Sequence, residues 1–183
     1  MRRVPLTPLL GLVMAFMPLV GSAQAPNGRA NVLRVSLPEL DWSVEVAPQF
    51  AVQTDQTRPD GRGRYVYAVD ARTDLVLSIR LERGPGGRSP AECRRAGWDA
   101  LRARSPFTMD AVRTGDTAPW ATVEYVVPEV RGMPVRQQHL HAYFGQGNVC
   151  AEVHLSKVRV TATDQALFER ALGAVRIRKV PPS

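Results

Sequence analysis

The stretch His139-Leu-His-Ala-Tyr-Phe144, the connection Gly145-Gln146-Gly147-Asn148 and the run Val149-Cys-Ala-Glu-Val-His-Leu155 decide the fold. Polar and apolar residues alternate on both sides of a Gly/Asn-rich break, the pattern of a β-hairpin with one face against a core. With Phe144 opposite Val149, His141 faces Glu152 and His139 faces His154. Directly paired side chains then have Cβ atoms about 5 Å apart. Tyr143 and Cys150 share that face, and Leu140, Ala142, Phe144, Val149, Ala151, Val153 and Leu155 form the other.

All three histidines of the chain fall on this hairpin. His139, His141 and His154 with Glu152 are a donor set that suits Zn²⁺ or Cu²⁺. The competing reading is a solvated face of ordinary cross-strand pairs, because alternation groups polar residues by default.

Outward from the hairpin, Val32–Leu37, Trp42–Val46, Phe50–Gln53, Tyr65–Val69, Leu75–Leu81, Met109–Arg113, Trp120–Val127 and Val175–Arg178 read as strands. Gly115-Asp116 reads as a turn and 128–134 as a loop. Ser89-Pro90-Ala91-Glu92 is a capping box with proline at the first helical position, so a helix should run to Arg104 before Ser105-Pro106. Its apolar arc of Cys93, Ala96, Gly97, Ala100 and Leu101 is made of small residues, which predicts a close approach to whatever it covers. A second helix starts at Thr163, carries Leu167, Phe168, Ala171 and Leu172, and stops at Gly173. The order has no regular βαβ units, so an α+β domain with a mainly antiparallel sheet is expected.

Cys93 and Cys150 are the only cysteines and no Cys-x-x-Cys is present. In an oxidising compartment they should form one disulfide, worth about 4 kcal/mol in the chain-entropy model. That bond would set the first helix on the histidine face, near Cys150, and leave the second helix for the apolar face. The expected architecture is a three-layer α/β/α sandwich. His139 and His154 lie four residues along from Tyr143 and Cys150, roughly 13 Å away, beyond the crossing of that helix. Arg94, Trp98 and Arg102 stack along its side at four-residue spacing. They form either a patch for an anionic or sugar ligand or a tryptophan closing the edge of the core under two arginine stems.

Residues 1–25 read as a cleavable signal peptide: Arg2 and Arg3, an uncharged run from Leu9 to Val20, then Ala23-Gln24-Ala25. The run is shorter than the about 20 apolar residues of a membrane span, and Pro18 interrupts it. Residues 26–183 then form one periplasmic or secreted domain. Without Arg2 and Arg3 the 24 basic residues fall to 22, against 17 acidic, leaving +5. Only Lys157 and Lys179 are lysines, and such arginine bias is what a GC-rich genome produces. No aromatic-basic nucleic-acid motif is present, so an anionic envelope polymer or an envelope protein is the expected partner.

Trp120-Ala-Thr-Val-Glu-Tyr-Val-Val127, the two hairpin strands, and Leu167-Phe168-Glu-Arg-Ala-Leu172 before a short last strand resemble the C-terminal half of PsbP-like proteins. That group includes the extrinsic photosystem II protein and DcrB-like bacterial envelope proteins. The resemblance implies an antiparallel sheet between helices and a non-catalytic accessory or binding role. No Gly-x-Ser-x-Gly, no His-Glu-x-x-His and no Ser-x-x-Lys with its companion motifs argues for an enzyme. A hydrolase is the remaining alternative, since triads are set by geometry.

Overall fold

The computed structural model describes residues 32–84 and 88–180. Residues 1–25, expected to be a signal peptide, lie outside the described residues, as do 85–87. In chain order the elements are β1 (Leu33–Val35), β2 (Trp42–Val46), β3 (Ala51–Thr57), β4 (Gly63–Asp70), β5 (Leu75–Arg83), α1 (Pro90–Arg104), β6 (Asp110–Thr117), β7 (Trp120–Val130), β8 (Met133–Gln146), β9 (Val149–Lys157), α2 (Asp164–Gly173) and β10 (Arg176–Lys179).

Seven strands form one antiparallel sheet in the order β3-β4-β5-β9-β8-β7-β6, and β1-β2-β10 form a second sheet. The helix–sheet–helix sandwich is thereby overturned. The face carrying Leu77, Ile79, Leu81, Leu140, Ala142, Val153 and Leu155 is covered by a sheet and a helix together. Val35, Trp42, Val44 and Val46 of the small sheet share its core with Phe168 and Ala171 of α2. Size explains the difference. Seven strands make a face roughly 30 Å wide, and the ten residues of α2 extend only about 15 Å.

Helix α1 lies on the opposite face, against β8, β7 and β9. Its capping box is formed: the Ser89 amide donates to Glu92 Oε2 at 2.7 Å and the Glu92 amide to Ser89 Oγ at 3.3 Å. Two glycines permit the close approach. A Cβ on Gly97 would lie 2.6 Å from Cε1 of Tyr143, and one on Gly145 would lie 2.6 Å from the Arg88 carbonyl and 2.8 Å from Cys93 Sγ. Cys93 and Cys150 are bonded, their Cα atoms 5.7 Å apart. The helix is therefore pinned at its N-terminal end.

The register of the long hairpin differs from the expected one. Gln146 pairs with Val149 around a two-residue turn, with Gly147 at φ 58°. His141 sits opposite His154, Tyr143 opposite Glu152 and His139 opposite Ser156. The shift is two residues, an even number, so every side chain keeps its face. The segment 128–134, expected to be a loop, extends the β7–β8 hairpin to Val130↔Met133, with Arg131 and Gly132 at positive φ. Gly115-Asp116 pairs within β6, and the turn falls at Ala118-Pro119.

Candidate functional site

Four strands place their side chains on the face that α1 only partly covers. From β8 come His139, His141 and Tyr143; from β9, Glu152 and His154. From β5, Ser78 pairs with His154 and Arg80 with Glu152; from β7, Tyr125 pairs with His139. Beyond the disulfide-pinned end of α1 these residues floor a cleft of about 660 Å³.

One ring nitrogen from each of His139, His141 and His154 lies within 4.8 Å of the other two. His139 Nδ1 and His154 Nε2 are 2.9 Å apart and share one proton. The rings are nearly parallel: 4° between His139 and His154, 9° between His141 and His154. Tyr125 stacks on His139, with centroids 4.7 Å apart.

His141 is buried and oriented from both sides. Its Nδ1 lies 2.8 Å from Glu152 Oε1, and its Nε2 lies 3.2 Å from the Tyr125 hydroxyl. An ionised carboxylate only accepts, so Nδ1 carries the proton. In the neutral ring this leaves the Nε2 lone pair for Tyr125 or for a ligand. A carboxylate behind one imidazole nitrogen is how metal-binding histidines are fixed in tautomer and raised in basicity. Tyr143 donates to the same Glu152 oxygen at 3.4 Å. The second nitrogen of His154, Nδ1, meets Ser78 Oγ at 3.4 Å. Nε2 of His139 is buried and has no hydrogen-bond partner among the described residues.

The electrostatics follow from burial. Removal from water pushes the His139 imidazole down to about 4, and the neighbouring His141 adds to the shift. Burial, then His141, His139 and Arg80, hold His154 well below the ordinary histidine value. Burial acts against the charged form of Glu152, but the hydrogen bond and charge of His141, with Arg80 and Tyr143, prevail and lower its carboxyl. Burial, with the Glu152 charge, raises Tyr125 to about 12. Burial and Glu152 also raise Tyr143. The floor thus presents two neutral imidazoles and two protonated phenols at physiological pH.

Arg102 stays over Trp98, while Arg94 turns away from it. Arg94 Nη1 donates to the Gly115 carbonyl at 2.9 Å and to Asp116 at 2.8 Å. Arg102 lies 5.6 Å from the centroid of Trp98 and pairs with Asp99 at 2.7 Å. Trp98 packs on Tyr125, with ring centroids 5.5 Å apart. Nothing local in the sequence marks Tyr125, Ser78 or Arg80 as part of this site. Tyr125 alternates with Val123 and Val127, which marked its face as core. Only the β5–β9 pairing, distant in sequence, brings in Ser78 and Arg80.

No family model and no curated protein sequence matches the chain. Among solved structures it is similar to the cyanobacterial PsbP protein (CyanoP) of Synechocystis, with a TM-score of 0.52 and 13 % identity over 87 % of this chain and 99 % of that one. The chain has a PsbP-like fold. A Bacteroides thetaiotaomicron protein aligns with a TM-score of 0.45 and 14 % identity over 76 % of this chain; the chain spans 46 % of its length. At such identities the likeness concerns the PsbP-like backbone arrangement alone. Among the described residues no helix is long and apolar enough to cross a membrane.

Proposed function

We propose that this PsbP-like chain is an exported, non-catalytic binding protein of the cell envelope, whose ligand is a divalent transition-metal ion held by His139, His141 and His154. The observation that carries this reading is the convergence of three imidazole nitrogens within 4.8 Å on the floor of a cleft. Burial keeps His139 and His154 in the neutral form that metals require, and Glu152 orients His141. Export is supported by residues 1–25 and by the disulfide, which belongs to oxidising compartments.

Imidazole nitrogens bind Cu²⁺ more tightly than Zn²⁺ by the Irving–Williams order. Titrating Cu²⁺ and Zn²⁺ into metal-free protein should show one site per chain, with copper the tighter. At an excess of about 100 times Kd, copper should stabilise the fold by about 2.7 kcal/mol. His139→Ala and His154→Ala should weaken binding at least tenfold. Absence of any thermal shift with either ion, in protein that is folded, rejects the reading.

A further inference from the structure

The cleft is far larger than an ion. A water molecule occupies about 30 Å³; the cleft measures about 660 Å³, within the range of small-molecule sites. Its floor is polar, but its walls are not. Leu101 of α1, Phe107 and Met109 of the segment after it, and Val127 and Val130 of β7 line the rest. Phe107 is 42 % exposed and Tyr65, also on the lining, 36 %. Large apolar side chains left open along a concavity mark a surface that a ligand covers.

The charges lining the same cleft are unequal. Arg80, Arg88 and Arg104 all line it. Glu82 is paired with Arg58 at 3.6 Å. Glu152, opposite Arg80 in register, turns its carboxylate to His141 and Tyr143 instead. Among the described residues Arg88 hydrogen-bonds to Cys150 Sγ, at 4.0 Å, and Arg104 to the Ala100 carbonyl, at 3.0 Å. Among the described residues none of these three guanidiniums has a carboxylate within 4.0 Å, while nine other arginine or lysine ion pairs form.

We propose that the cleft binds an organic anion with an apolar body, of the class of a medium-chain carboxylate, its head group on the guanidinium of Arg80 and its chain against Leu101, Phe107, Met109, Val127 and Val130. Arginine suits a carboxylate because its planar fork donates two parallel hydrogen bonds. Arg80 stands on the sheet floor, while most of the apolar wall comes from α1 and the segment after it, so one ligand can satisfy both along the cleft. This site shares the cleft with the imidazoles but uses other residues, and it does not depend on the metal.

Calorimetric titration with decanoate and with decyltrimethylammonium, each below its micelle concentration, compares equal chains of opposite charge. Chelator-treated protein should bind one decanoate and bind the cation at least tenfold more weakly. Arg80→Gln should weaken decanoate at least fivefold. Ala100→Trp, which fills the helix side of the cleft, should abolish decanoate binding. Decanoate binding by chelator-treated protein needs no copper, which separates this site from the metal reading. Equal affinity for the two chains, or decanoate binding unchanged in Arg80→Gln, overturns the proposal whether or not copper binds.

Discussion

Replacing Cys93 and Cys150 together by alanine is expected to lower the unfolding free energy by about 4 kcal/mol. The bond spans 57 residues, and a loop of that length gives this value when its closure is lost from the unfolded chain. For a domain of this size the melting temperature should fall by about 10 °C. The bond also acts on the native state. Cys93 is buried in the smaller core with Val123, Tyr125, Val127 and Tyr143, and it is the covalent tie between α1 and the sheet. Hydrogen exchange across 90–104 should therefore accelerate more than exchange in β5 or β9. Chemical denaturation of the double variant checks the magnitude. A loss below about 1 kcal/mol would mean that the glycine-mediated contacts hold α1 without the bond.

Acidification should destabilise the metal-free protein by about 3 kcal/mol between pH 6.5 and pH 4. The sign follows from His139, whose imidazole is held near 4 in the fold and titrates near 6.5 when unfolded. Below pH 6.5 the unfolded chain takes up a proton that the native chain refuses, so stability falls as pH falls. It levels off once the native imidazole is protonated too. The depressed His154 acts in the same direction. Glu152, whose carboxyl is lowered in the fold, contributes stability above its unfolded value that is lost in more acid solution. Urea unfolding at pH 7.5, 6, 5 and 4.5 measures the slope, and His139→Gln should flatten it. An unfolding free energy unchanged across that range would show that the imidazoles are hydrated.

Much of the fold is local, and so was legible in the sequence. The Ser89–Glu92 capping box, Pro90 and the small-residue arc define α1 and its close docking without tertiary information. The alternation in 139–144 and 149–155 identifies which side chains share a face, and an even register shift leaves that unchanged. Which residues face one another depended on the turn, and Gly147 at positive φ set it two residues from the expected position. The second sheet was hidden because β1 has three residues and β10 has four. β10 pairs with β2 across most of the chain length, a contact with no local signature. The same reason hid Ser78 and Arg80. Tyr125 was concealed by its apolar neighbours Val123 and Val127. The burial that holds His139 and His154 neutral depends on where α1 crosses the sheet, a tertiary property.

The imidazole cluster as a metal site is tested most directly by pulsed electron paramagnetic resonance of the protein loaded with one equivalent of Cu²⁺. Modulation from the remote nitrogens of coordinated imidazoles is predicted, reduced by one ring in His154→Ala. A spectrum of copper bound to water and carboxylates, indifferent to His139→Ala and His154→Ala, would contradict the account.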